Sequence, residues 1–204
     1  MHDGYEIRRG WCPISPELVK ELAAIKTEPI FNDNPDHRSD RRRKQATLST
    51  TWSRAIRCCL ATKFPHHKPS PMVVIESLAG CQRQAAHCDY IPDEELLALP
   101  SEEMPLLFLL AIEPSTTLDL WPGSHLVIQG KRKSLCKRET IRLDPGDAIL
   151  FRADLVHAGS AYEVPNRRVH LYLDHPEYRR DPNRTWIIYK HAPPSVKKWI
   201  DETG

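Results

Sequence analysis

From residue 71 onward the chain is cut into short runs of β-branched, aromatic and leucine residues, each bounded by Pro, Gly, Asn or Asp, and this pattern restricts the fold more than any other. The runs are Met72 to Leu78, Met104 to Ile112, Leu118 to Trp121, Thr140 to Leu143, Ala148 to Arg152, Arg168 to Leu173 and Trp186 to Tyr189. Strands of this length and spacing predict a mainly β fold closed as a barrel or double-sheet jelly roll. Helices should flank it. Ser15 precedes Pro16 as an N-cap, with Leu18, Leu22, Ala23 and Ile25 at helical spacing, which predicts a covering helix. Trp52, Ala55, Ile56, Cys59 and Leu60 fall at i, i+3, i+4, i+7 and i+8, the stripe of a helix that packs on a sheet. Val196 to Ile200 predicts a short closing helix with Ser195 as its N-cap.

A chain of 204 residues suits one domain with a sizeable core. Its expected parts are a helical and looped region over about 1–70, the β core over about 71–192 and a tail over about 193–204. Between the first two helices, Asn32 to Lys44 joins turn formers to a basic cluster (Arg38, Arg41, Arg42, Arg43, Lys44) and reads as a mobile, solvated loop. The 29 basic and 27 acidic residues nearly cancel, so no broad field calls for nucleic acid or a membrane surface as partner. The longest apolar run, Pro105 to Ile112, is far short of the ~20 residues a membrane-crossing helix needs. Six cysteines without a CxxC pair, and an N-terminus without the apolar stretch of a secretory signal, predict a reducing, cytoplasmic setting.

Chemistry enters at Gln82 to Tyr90, QRQAAHCDY. On a strand, His87 and Asp89 point to one face and Cys88 to the other. An imidazole beside a carboxylate is two-thirds of the 2-His-1-carboxylate triad that suits iron(II) and leaves positions open for ligands. His157, in LVHAG after the turn Asp144-Pro145-Gly146-Asp147 and the apolar strand Ala148 to Arg152, is the candidate third ligand. Beyond the turn candidate Glu163 to Asn166, the chain alternates Val169, Leu171 and Leu173 with Arg168, His170 and Tyr172. A hairpin closing at Glu163 and Val164 would pair His157 with His170 and set Arg168 two positions away, ~6–7 Å along the strand. A small dicarboxylate could bridge that gap, chelating metal at one end and meeting the planar fork of Arg168 at the other.

Four segments in order, QAAHCDY, WPGSH (Trp121 to His125), LDPGDAILF (Leu143 to Phe151) and HAGS followed by Arg168, resemble the phytanoyl-CoA dioxygenase-like branch of the Fe(II)/2-oxoglutarate-dependent dioxygenases. The likeness covers about residues 72 to 174. It implies a double-stranded β-helix (jelly roll, cupin-like) core in which His87, Asp89 and His157 hold Fe(II) and Arg168 binds the cosubstrate 2-oxoglutarate, with Ser160 a further cosubstrate candidate. The implied reaction uses O2, releases succinate and CO2, takes ascorbate as an auxiliary reductant in vitro, and hydroxylates or oxidatively demethylates its substrate. Relatives that halogenate carry a small residue where this chain has Asp89. The compact chain leaves few residues for a lid, which favours a small-molecule substrate. Nucleic-acid dealkylating relatives place a second arginine six residues after the first; here that position is Asp174.

Two other classes remain open. One is a metal-binding jelly roll without turnover, which would have no need of an inward Arg168. The other is a nucleic-acid or protein hydroxylase, for which the basic cluster would guide a polymer. His125 is read as a structural hydrogen-bonding residue outside the triad, and His66-His67 as a solvated loop. His170 either lines the cosubstrate pocket or fills the barrel end. Gln84 and Tyr90 orient substrate or serve the strand end, and Trp121 packs in the core or walls the pocket.

Overall fold

The computed structural model describes residues 1–30, 40–131, 137–181 and 184–203. Most of the expected loop at 32–44, and Cys136, lie outside the described residues. Among these residues two antiparallel sheets face each other. The larger runs β1 (Tyr5–Arg8), β10 (Ala148–Arg152), β7 (Leu106–Ala111), β12 (Asn166–Asp174), β5 (Val73–Ser77), β3 (Arg43–Thr47) and β2 (Glu28–Pro29), with β4 (Lys68–Pro69) paired to the end of β12. The smaller runs β13 (Trp186–Ile187), β6 (His87–Cys88), β11 (His157–Gly159), β8 (Thr116–Leu120) and β9 (Glu139–Leu143). With α1 (Pro16–Ala23), α2 (Thr51–Lys63), α3 (Glu94–Leu97), α4 (Ser124–Ile128), α5 (Ile188–His191) and α6 (Pro194–Thr203), this is a mainly β jelly roll with flanking helices.

Period-two alternation sorts the side chains into three layers. Leu106, Phe108 and Leu110 of β7, Leu150 of β10, and Val169, Leu171 and Leu173 of β12 face outward to Leu18 and Leu22 of α1 and Ile56 and Leu60 of α2. The intervening Leu107, Leu109, Ile149 and Phe151 face inward and meet Leu118, Leu120, Ile141 and Leu143 of the smaller sheet. Cys88, Val156 and Ala158 form a third layer on the far side, packed with Val196, Trp199 and Ile200 of α6. Strand β7 is buried on both faces. Each fully buried Leu or Phe there stabilises by about 1.5–3 kcal/mol, so this strand is the least able to accept a polar residue.

Helix α1 starts as expected, the Ser15 side chain accepting from Leu18 N. Five expectations are corrected. The region before residue 71 is not only helix and loop, because β1, β2, β3 and β4 all add strands to the larger sheet. Arg43 and Lys44 lie in β3, and Arg43 is buried. The run at Trp186 to Tyr189 stays extended for only two residues before turning into α5, and α6 starts at Pro194, ahead of the N-cap expected at Ser195. His67 is buried, its Nε2 2.9 Å from the Met104 carbonyl oxygen.

The expected hairpin does not form. β11 belongs to the smaller sheet and β12 to the larger, so His157 pairs with His87 and Leu120, whereas His170 pairs with Val73 and Leu109. Consecutive strands of a jelly roll cross between sheets, and Ser160 to Pro165 is that crossing.

The turn before β10 ties the N-terminal strand to the core. Asp147 accepts from Gly10 N at 2.8 Å through Oδ1, and from Arg9 Nη1 at 2.5 Å and Asp144 N at 3.1 Å through Oδ2. Gly146 has φ +94°, and a Cβ there would lie 2.5 Å from the Cys12 carbonyl oxygen, so only glycine fits. Burial opposes the Asp147 charge, but these donors win and hold its carboxyl below the ordinary value. A depressed carboxyl contributes stability above its unfolded value, about pH 4, and loses that contribution as pH falls through its folded value. Asp147→Asn should therefore cost about 1–3 kcal/mol at neutral pH, with the gap to wild type narrowing below pH 4, as read by urea unfolding across pH. A pH-independent gap would show that the charge does not act here.

Candidate active site

Three side chains converge on the inner face of the smaller sheet. The register of β11 against β6 sets His157 opposite His87, with ring centroids 4.4 Å apart. Asp89 follows just beyond β6, its Oδ1 3.4 Å from His87 Nε2 and 3.6 Å from His157 Nε2. One ligand atom from each residue lies within 4.8 Å of the others, and among the described residues this is the one group of at least three such side chains able to hold a metal ion. Cys88 points away into the layer against α6, as strand alternation requires.

The backbone prepares both imidazoles. His87 Nδ1 lies 2.7 Å from the Ala85 carbonyl oxygen and His157 Nδ1 3.0 Å from that of Leu155. A carbonyl only accepts, so each Nδ1 carries the proton and each Nε2 presents its lone pair to the centre. Burial, then the neighbouring His157, pushes His87 below the ordinary histidine value and favours the neutral, ligating form. Burial alone would raise Asp89, but the two imidazoles beside it, His157 first and then His87, hold its carboxyl well below the usual carboxylate range. Its second oxygen, Oδ2, accepts from Tyr172 Oη at 2.9 Å.

Arg168 lies across the interior on β12. It is buried, its Nη1 donates to Ser77 Oγ at 3.0 Å, and its guanidinium sits 5.4 Å from the centre of the Tyr162 ring. No carboxylate among the described residues forms an ion pair with it, and burial pulls it below the usual arginine value. One cavity of about 450 Å³ is lined by His87, Asp89 and His157 at one end and by Arg168, His170 and Tyr172 on the facing sheet. Leu109, Leu118 and Phe151 add apolar wall. His170 thus lines the cavity, and burial pushes it down to about 4, leaving it neutral.

Other candidates fall elsewhere. Ser160 donates to Asp119 Oδ1 at 3.0 Å and is not part of the lining, so Ser77 is the hydroxyl that meets Arg168. His125 lies in α4 under Gly4, its Nδ1 without a hydrogen-bond partner, contrary to the structural hydrogen bond expected of it. Trp121 packs in the outer layer with α6, and Tyr90 donates to Asp174. Gln84 lines the cavity but accepts from Gly159 N at 2.9 Å.

Sequence reasoning missed Arg43. It pairs with Asp40 at 2.5 Å and donates to the carbonyls of Gln82, Gly159 and Ser160 at 2.9, 3.1 and 2.8 Å, clamping β3 to the strand that carries His157. A Cβ at Gly159 would lie 2.4 Å from Gln84 Oε1 and 3.1 Å from Arg43 Nε, which explains glycine two residues after His157.

Comparison with known proteins agrees with this architecture. Residues 125–200 match the model of the AraC-like ligand binding domain. No curated protein matches the sequence. Among solved structures the chain is similar to the non-haem α-ketoglutarate-dependent epimerase SnoN from nogalamycin biosynthesis, at 17% identity and TM-score 0.58, over 90% of this chain and 87% of that one. It is similar to HygX from Streptomyces hygroscopicus, solved with nickel, 2-oxoglutarate and hygromycin B bound, at 12% identity and TM-score 0.60, over 87% and 86% of the two chains. A Pseudomonas putida prolyl-4-hydroxylase aligns at 11% identity and TM-score 0.57, over 85% and 93%. The chain therefore has the jelly-roll fold found in 2-oxoglutarate-dependent oxygenases, with a His-Asp-His group in its interior.

Tyr172 is expected to orient Asp89. Tyr172→Phe should weaken divalent-metal binding about 10–100-fold in a calorimetric titration with Ni(II). Unchanged affinity would mean that Asp89 is held without it.

Proposed function

We propose that this chain is an Fe(II)- and 2-oxoglutarate-dependent dioxygenase that hydroxylates, or demethylates through hydroxylation, a small-molecule substrate and releases succinate and CO2. The observation that carries this reading is Arg168. A buried guanidinium without a carboxylate partner is costly, and a dicarboxylate in the shared cavity would meet that cost. A protein that only stored metal would have no use for it.

The residues present fit the groups this reading requires. His87 Nε2, His157 Nε2 and Asp89 Oδ1 would hold Fe(II), leaving three positions open. When bound, iron with 2-oxoglutarate and O2 supplies the oxidising chemistry; the protein supplies placement and a shielded pocket. Arg168 would receive the distal carboxylate of the cosubstrate, its geometry steadied by Ser77 Oγ. Neutral His170, lining the same cavity, adds no cation to compete with Arg168 for the acid. Leu109, Leu118 and Phe151 exclude water around the metal end. Retention of Asp89 leaves no site for halide where halogenating relatives bind it, which supports hydroxylation. Of the basic cluster behind the nucleic-acid reading, Arg43 is buried and unavailable to a polymer, whereas Arg41 and Arg42 stay exposed.

The decisive experiment follows succinate from anaerobically purified protein given Fe(II), ascorbate and 2-oxoglutarate, then O2. Succinate above the no-enzyme control is expected, with both metal retention and turnover lost in His157→Ala and Asp89→Ala. Arg168→Ala should keep the metal but raise the 2-oxoglutarate Kd at least about tenfold, the equivalent of a charge-assisted pair. An unchanged Kd in Arg168→Ala would overturn the cosubstrate assignment.

A further inference from the structure

Beyond the metal group and Arg168, the cavity has an excess of positive charge. Among the described residues, Arg43, Arg168 and Arg180 line it, and Asp89 is the only acidic side chain of that described lining. Arg43 is already neutralised by Asp40 and capped by three carbonyls. Fe(II), Asp89, the 2-oxoglutarate dianion and Arg168 would together cancel in charge. Arg180 also lines the cavity, beside the space left for the primary substrate.

Arg180 is held in place yet has spare hydrogen-bonding capacity. Its guanidinium stacks 3.7 Å from the centre of the Tyr172 ring and lies 5.6 Å from that of Tyr90, leaving its side chain 17% exposed. Its nearest carboxylate oxygen, Asp174 Oδ1, is 3.8 Å from Nε and already accepts from Tyr90. Its Nε is buried without a hydrogen bond. Stacking fixes the plane of a guanidinium while leaving its edge donors free for an oxyanion. The ring it stacks on donates to Asp89, so a group gripped by Arg180 lies one tyrosine away from a metal ligand.

We propose that the primary substrate is a small acid whose anionic headgroup, a carboxylate or a phosphate, is received by Arg180 at the second end of this cavity. The inference rests on the reading of Arg168 as the 2-oxoglutarate partner. About 450 Å³ is near the lower end for small-molecule sites and must hold both acids, so the substrate body is short. Ile30, Pro71 and Val73 in the lining suit a hydrocarbon body.

The test uses Ni(II)-loaded protein saturated with 2-oxoglutarate, so that neither the metal nor Arg168 is available to the probe. Calorimetry then compares matched pairs: hexanoate with hexanamide, phenylacetate with phenylacetamide, and phenyl phosphate with phenol. At least one acid is expected to bind roughly tenfold or more tighter than its neutral partner, as a charge-assisted hydrogen bond requires, and the carboxylate and phosphate arms tell the two headgroups apart. Arg180→Gln should abolish the preference while leaving 2-oxoglutarate binding unchanged, and Arg180→Lys, which keeps the charge but loses the stack, should retain it in weakened form. If acids and neutral partners bind alike, if nothing in the panel binds, or if the preference survives in Arg180→Gln, the proposal is overturned and the cosubstrate reading stands. Failure of the Ni(II)-loaded wild type to bind 2-oxoglutarate would instead remove that reading and this one with it.

Discussion

Seventy residues of chain separate His87 from His157, and one antiparallel register, β6 against β11, sets them side by side. These strands are only two and three residues long, too short to hold themselves in place. They are held from outside. Cys88, Val156 and Ala158 are pressed against α6 on one face, and Arg43 reaches from the larger sheet to the carbonyls of Gly159 and Ser160 at the strand's end. Asp89 then lies between two imidazoles whose Nε2 atoms face it at 3.4 and 3.6 Å, and the pull of these neighbours outweighs the cost of burying its charge.

The facing sheet completes the cavity by the same alternation that builds the core. On β12, each residue that packs against the helices is followed by one that faces inward, so Val169, Leu171 and Leu173 anchor the strand while Arg168, His170 and Tyr172 line the interior. A cation, a neutral imidazole and a phenol donor thus share one wall at fixed spacing. Tyr172 connects the two ends of the cavity, donating to Asp89 on one side and carrying the stacked Arg180 on the other.

Much of this could be read from local pattern. Six of the seven expected strands recur as strands of similar extent, because apolar runs broken by turn formers leave the backbone few alternatives, and the inward set on β12 follows from period two. What could not be read is how elements lie relative to each other. Placing His157 opposite His170 assumed that neighbouring strands pair, whereas the chain from Ser160 to Pro165 leaves one sheet for the other, a choice set by long-range closure. Arg43 sat in a run of charge that reads as solvated. Its ion-pair partner Asp40 lies only three residues away, but the three carbonyls that cap it come from distant positions that only the tertiary fold brings near. The sequence also suggested a serine near Arg168, but the structure supplies Ser77 from β5 and sends Ser160 to Asp119.

Both histidines of the His-Asp-His group have their tautomer set by the carbonyl two residues earlier in their own chain, Ala85 for His87 and Leu155 for His157. Many metal sites leave that task to a carboxylate or amide side chain, which a point mutation can remove. A main-chain oxygen is present whatever residue occupies the position. The orientation and tautomer of the two imidazoles are therefore inherited with the backbone path alone. Substitutions in the cavity wall can thus accumulate without disturbing the orientation of the two imidazoles.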